Sequence, residues 1–312
     1  MSDASILRWL MDGDPAIRWH AVHDLTDAAA QAVAAERSRV ATEGWGKALL
    51  DRQLPNGAWA EPDDGWMISM DALTLLREMG LDPKSPQAQN AIARVRQNLH
   101  WEALDDRPYF EGETEACING AILAFGSYFG ERCDAIVDRL LSEQLADGGW
   151  NCEAPPSVRS SFNSTIRVLE GLNEYERRWG RNETVATARF KGQEYLLERR
   201  MFRRLRDGEI VDRRWTRFAY PTTWHYDILR GLDYLRSAGA KPDERASEAI
   251  EIVQARRHQN SRWPMNRVHA DRLDFPLEPE TGRASRWNTL RAVRVLDWYF
   301  ERPKRSATSS AR

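Results

Sequence analysis

A glutamine, a turn and a tryptophan recur along this chain at one spacing. QLPNGAW (residues 53–59) and QLADGGW (residues 144–150) share the pattern Q-x-x-x-G-x-W, and HQNSRW, ending at Trp263, is a looser third copy without the glycine. Each copy lies between two stretches whose apolar residues fall at helical spacing, so each reads as a helix-turn-helix junction with its turn written in glycine, asparagine or aspartate. A junction repeated in this way implies stacked helix pairs, because one pair alone cannot bury its apolar face.

In order, the helical stretches expected are residues 16–25, 33–53, 67–81, 85–104, 114–129, 131–144, 162–180, 185–205, 222–239, 242–259 and 286–301. Asp14 and Pro15 start the first, Ser85 and Pro86 the fourth, and Gly44 and Gly46 bend the second. Residues 114–129 are apolar nearly all round, the mark of a helix buried on most faces. The basic run RRMFRRLR (residues 199–206) falls at the end of its expected helix, where the dipole favours cations, and reads as a solvated terminus.

The Q-x-x-x-G-x-W copies, and the alternation of helices around them over nearly the whole chain, resemble the QW repeats of the terpene cyclase and protein prenyltransferase superfamily, which includes squalene-hopene cyclases and prenyltransferase β subunits. The resemblance implies an all-α fold, an (α/α)6 toroid in which inner helices ring a central cavity and glutamine and tryptophan brace the outer layer. On that reading residues 1–302 form one toroid domain and residues 303–312 a disordered tail. The implied activity is that of a cyclase- or transferase-like protein acting on an isoprenoid or similar small molecule in the cavity. The chain departs from the family's chemistry, since it has neither D-x-D-D nor D-D-x-x-D; Asp63 and Asp64 are adjacent but sit in the loop EPDDGW. Fold similarity alone does not carry chemistry.

The 45 basic and 47 acidic residues are mixed along the chain, so no global field draws it to nucleic acid. Three cysteines, an odd number without close spacing, do not describe a disulfide framework. With no secretory leader and no apolar run near membrane-spanning length, a cytoplasmic location and no transmembrane segment are expected.

In a toroid the inner helices start at one end, where their N-termini favour an anionic or polar group. Most candidate residues fall there. His225 and Asp227 in TTWHYDIL are a candidate acid/base pair, or a capping aspartate beside a packed histidine. Glu113 and Glu115 could share a proton, or simply answer a helix dipole. Cys117, Cys152 and His225 are candidate zinc ligands resembling in outline the Cys, Cys, His site of lanthionine synthetase cyclases; the alternative is that both thiols are core residues. Trp66, Phe162, Trp224, Tyr226 and Trp287 are candidate aromatic walls, with Arg159, Arg286 and Asn163 as polar ligand contacts. Three functions compete: isoprenoid chemistry over an apolar cavity floor, a non-catalytic toroid that binds a small molecule, and a carbohydrate-active hydrolase or lyase.

Overall fold

The structure, a computed structural model, describes residues 3–61, 65–269, 273–275, 277–278 and 280–305; Asp63, Asp64 and most of the expected tail lie outside them. Among the described residues the chain is all-α apart from one small hairpin. Its helices are α1 (Asp3–Met11), α2 (Pro15–Leu25), α3 (Ala30–Arg39), α4 (Gly44–Leu50), α5 (Gly65–Glu78), α6 (Pro86–Asn98), α7 (Ala116–Phe129), α8 (Asp134–Ser142), α9 (Phe162–Trp179), α10 (Glu183–Glu198), α11 (Ile228–Ser237), α12 (Ser247–Ala255) and α13 (Arg286–Tyr299). None is long and apolar enough to cross a membrane.

One set of helices packs in succession: α5 on α7, α7 on α9, α9 on α11, α11 on α13, and α13 back on α2. Trp19 of α2 donates its indole N–H to Met79 O, just beyond α5. The tightest of these contacts joins α7 to α9, where a Cβ on Gly171 would lie 2.5 Å from Gly120 O, so only glycine lets the two backbones approach. The remaining helices pack outside this set, with α6 and α8 against α7, α10 against α9 and α12 against α11.

Each tryptophan junction is built in the same way. The indole N–H of Trp59, Trp150 and Trp263 donates to Leu49 O, Leu140 O and Val253 O, each at 2.7 Å. Those carbonyls lie in the last turns of α4, α8 and α12, where the helical ladder runs out of N–H donors; Leu49 O also accepts from Arg52 N at 3.3 Å. The backbone N–H of each tryptophan donates in turn to a hydroxyl on the following helix: Ser69 Oγ, Thr165 Oγ1 or Thr289 Oγ1. Gln53 and Gln144 reach Ala91 O and Ala188 O on the next outer helix. The third copy keeps the turn without the glycine, because Ser261 takes its place at φ +63° and donates to His258 O as Gly148 does to Leu145 O.

Several expected boundaries move. The expected helix 33–53 divides into α3 and α4 because Gly44 turns left-handed (φ +59°) and Asp14 Oδ2 accepts from Trp45 N at 2.7 Å. Residues 85–104 yield α6 and then β1 (His100–Trp101), which pairs antiparallel with β2 (Arg107–Pro108). The expected helix 185–205 stops at Glu198, and Arg200 and Met201 at positive φ turn the chain away. The helix expected from residue 222 begins at Ile228. At the tail, Arg305 bridges to Thr26 and pairs with Asp297, so the chain is ordered past residue 302.

A charged cavity as the candidate functional site

Residues of α2, α5, α7, α9, α11 and α13 line a cavity of about 340 Å³. At five of these helices it is reached from the C-terminal end, by Asp24, Glu78, Tyr128, Arg177 and Ser237, whereas α13 lines it from its first turn to its middle with Trp287, Arg291 and Arg294. Its lining carries seven arginines and five carboxylates, in place of the apolar floor that an isoprenoid would need. The charges come from one stripe per helix at three- and four-residue spacing: His20 and Asp24; Glu170, Glu174 and Arg177; Arg230, Asp233 and Arg236; Arg291 and Arg294.

Part of this charge is structural. Arg230 grips both oxygens of Glu170 at 2.8 and 2.7 Å and gives its third nitrogen to the carbonyls of Thr223 and His225. Arg294 ties Asp24 of α2 to Asp233 of α11 at 2.9 Å each. These pairs hold the Glu170 and Asp233 carboxyls below the usual carboxylate range despite burial. His20 is kept neutral by burial, with Nε2 on Glu78 O at 2.7 Å.

A second group has no such closure. Arg77 meets Glu78 and Glu174 only at 3.9 and 3.8 Å, and its Nε has no partner among the described residues. Arg177 reaches Glu174 only at 3.9 Å but donates to Ser237 O at the end of α11. Among the described residues Tyr220 Oη and Trp287 Nε1 are buried without a hydrogen-bond partner, their rings stacked at 4.4 Å. Burial pushes the Tyr220 phenol well up, and the Glu78 carboxylate adds to this. Arg77, Tyr220 and Trp287 thus bring unspent hydrogen-bonding capacity to the cavity wall. Its net charge is modest: the two surplus arginines face five helix C-termini, each worth roughly half a negative charge. A second cavity of about 390 Å³ shares Glu78 and is more apolar, with Leu75, Pro221, Leu273 and Phe275 in its wall.

Of the residues singled out in the sequence, Trp287 lines the charged cavity. The expected His225–Asp227 pair is not assembled. Asp227 is the N-cap of α11, accepting from Arg230 N at 2.7 Å, while His225 lies stacked between Trp224 and His269, its Nδ1 3.1 Å from Thr223 Oγ1. Burial lowers the His225 pKa to about 4, so it is neutral at pH 7. The Glu113 and Glu115 carboxyls do not hydrogen-bond each other; Glu113 accepts from Glu115 N and Thr114 Oγ1 within its own loop. Tyr226 is buried and donates its hydroxyl to Met201 O, and Asn163 Oδ1 accepts from Tyr226 N, so both brace the start of α11. Arg286 lies over the Trp9 ring of α1, Trp66 packs near Trp101, and Trp224 is half exposed. Arg159 and Phe162 belong to a separate surface groove.

The thiols come together without the histidine. Ligand atoms of Glu115, Cys117 and Cys152 all lie within 4.8 Å of one another, and His225 is not in this group. Cys152 Sγ accepts from Cys117 N at 3.2 Å and Ser164 Oγ at 3.3 Å. The neighbouring Cys117 thiol, with these donors, holds Cys152 below the ordinary thiol value and is itself pushed up. Two sulfurs and a carboxylate suit a zinc-type ion.

The sequence reasoning missed Arg77, Glu78, Glu174, Arg177 and Tyr220. For Arg77, Glu78, Glu174 and Arg177 the signal was present as charges in the last turns of helices with an apolar face; Tyr220 lies in a loop and carried none.

No family model matches the chain, and no curated protein does. A crystal structure of a protein from Actinoplanes is similar over 95% of this chain and 89% of its own, at 15% identity and a TM-score of 0.45.

Proposed function

We propose that the chain is an (α/α)6 toroid of the squalene cyclase and prenyltransferase type whose central cavity binds a small hydroxyl-rich molecule of saccharide size. The return of α13 to α2 and the threefold tryptophan brace support the architecture. One observation carries the ligand class: among the described residues, Arg77 Nε, Tyr220 Oη and Trp287 Nε1 are buried at the cavity without a hydrogen-bond partner. A prenyl chain would leave these groups buried and unpaired, at about 1–3 kcal/mol each, whereas hydroxyls both donate and accept. The near balance of charge favours a neutral or singly acidic sugar over a diphosphate.

The test is thermal shift and calorimetry with neutral monosaccharides and disaccharides, hexuronates and farnesyl diphosphate. A sugar that raises Tm, with the effect lost in Arg77→Met and Glu174→Gln, supports the reading. Stabilisation by farnesyl diphosphate alone overturns it in favour of the isoprenoid.

A metal-assisted reaction is a second reading, favoured by the Glu115, Cys117 and Cys152 cluster. Those three side chains would hold the ion. A zinc ion there would supply a Lewis acid with a coordination position left for water or substrate.

A further inference from the structure

The basic run RRMFRRLR does not end a helix. Because α10 stops at Glu198, Arg200, Arg203, Arg204 and Arg206 lie beyond it in the loop that follows, so the helix dipole does not account for them. Residues 199–217 hold eight arginines against three acidic residues in a chain whose formal net charge is −2. This concentration is local, and it borders a groove of about 720 Å³ between the start of α9 and the loop after α10.

The floor of the groove is aromatic and already occupied. Phe162 and Tyr195 are buried, and Arg199 covers the Tyr195 ring at 3.9 Å. Asp147 accepts from Ser160 and pairs with Arg199 at 3.5 Å, which fixes the near wall. The rim is open. No ion pair or side-chain hydrogen bond engages the Arg159 guanidinium among the described residues, and Arg204 and Arg206 share the single carboxylate of Asp207, at 3.9 and 2.8 Å. Beside them Leu205 is 62% exposed and Val211 36% exposed.

We propose that this groove docks an acidic segment of a partner protein that also carries apolar side chains. Carboxylates would pair with Arg159, Arg204 and Arg206, and apolar residues would cover Leu205 and Val211, which otherwise stand in water. A single-stranded nucleic acid fits less well, because bases need open aromatic faces and two of the three rings at the groove are buried. The proposal is independent of the cavity ligand.

The experiment is fluorescence anisotropy of the full chain with a short fluorescein-labelled peptide alternating Glu with Leu and Phe. Poly-Glu of equal length and a short single-stranded RNA are the comparisons. The expected result is that the mixed peptide binds tightest, that Arg159→Glu/Arg204→Glu/Arg206→Glu weakens it roughly tenfold or more, and that Leu205→Ser weakens it severalfold. The substituted side chains are exposed, so circular dichroism and melting should be unchanged. Equal binding of poly-Glu would reduce the groove to an ion exchanger and overturn the proposal. Tighter binding of RNA, or no binding of the mixed peptide, would overturn it as well.

Discussion

The indole N–H of Trp150 meets Leu140 O at 2.7 Å, and the tryptophan is fully buried. It fills a carbonyl that α8 cannot fill for itself, while its backbone N–H is held by Thr165 of α9. The residue therefore links an outer helix, a turn and the next inner helix. Trp150→Ala is expected to cost about 3–5 kcal/mol in urea unfolding, because it opens a cavity and orphans the carbonyl. Trp224→Ala, at a half-exposed ring, is expected to cost within about 0.5 kcal/mol. Equal costs at the two sites would mean that the brace is not where stability resides.

Ser261 offers a gain. It is held at φ +63°, a conformation that costs a residue with a Cβ roughly 1–2 kcal/mol and costs glycine almost nothing. In the other two copies that position is Gly57 and Gly148. Ser261→Gly should therefore stabilise the chain by about 0.5–1 kcal/mol after the extra unfolded-state entropy of glycine is subtracted. The reverse change, Gly148→Ser, should be strongly destabilising, since a Cβ there would sit 2.6 Å from Lys191 O. Urea midpoints of the two variants check both signs.

If Glu115, Cys117 and Cys152 hold a metal, the protein should take up zinc with proton release, because thiolates bind and thiols do not. Cobalt substitution should produce thiolate charge-transfer absorption. Cys117→Ser and Cys152→Ser should each abolish it, and Cys133→Ser, buried elsewhere against the α7 side of the core, should leave it intact. Retention of the cobalt spectrum in Cys152→Ser would dismiss the cluster as a ligand set.

What could be read in advance follows the range of the forces involved. Helices and junctions are local, and apolar spacing with glycine and proline marks placed α2, α5, α7, α9 and α13 to within about three residues at each end, while α11 starts six residues later than expected. Helix ends set by distant groups were not legible: nothing in residues 33–53 reveals that Asp14 accepts from Trp45 and starts a new helix at Gly44. The candidate site was misplaced for a similar reason. Polar residues stand out in loops and first turns, but there Asp227 is a cap. Arg77, Glu174 and Arg177 face a shared cavity only because successive inner helices point those stripes at one another.

Glu278 is the group through which pH should act most clearly. Its carboxylate accepts from Trp287 N at 2.7 Å at the start of α13, yet burial outweighs that bond and pushes its pKa from 4.5 up to about 7. A carboxyl raised on folding gives stability that is fully present below the unfolded value and is lost as pH climbs through the folded one. Wild type should therefore lose up to about 3 kcal/mol from this group between roughly pH 4.5 and 7, by the usual 1.36 kcal/mol per unit. Glu278→Gln can still accept from Trp287 N but cannot ionise. Its advantage over wild type should be small at pH 4.5, grow through that window and level off above pH 7.5, in urea unfolding at each pH. A constant difference across the window would mean that Glu278 meets water freely and that the start of α13 is not closed over it.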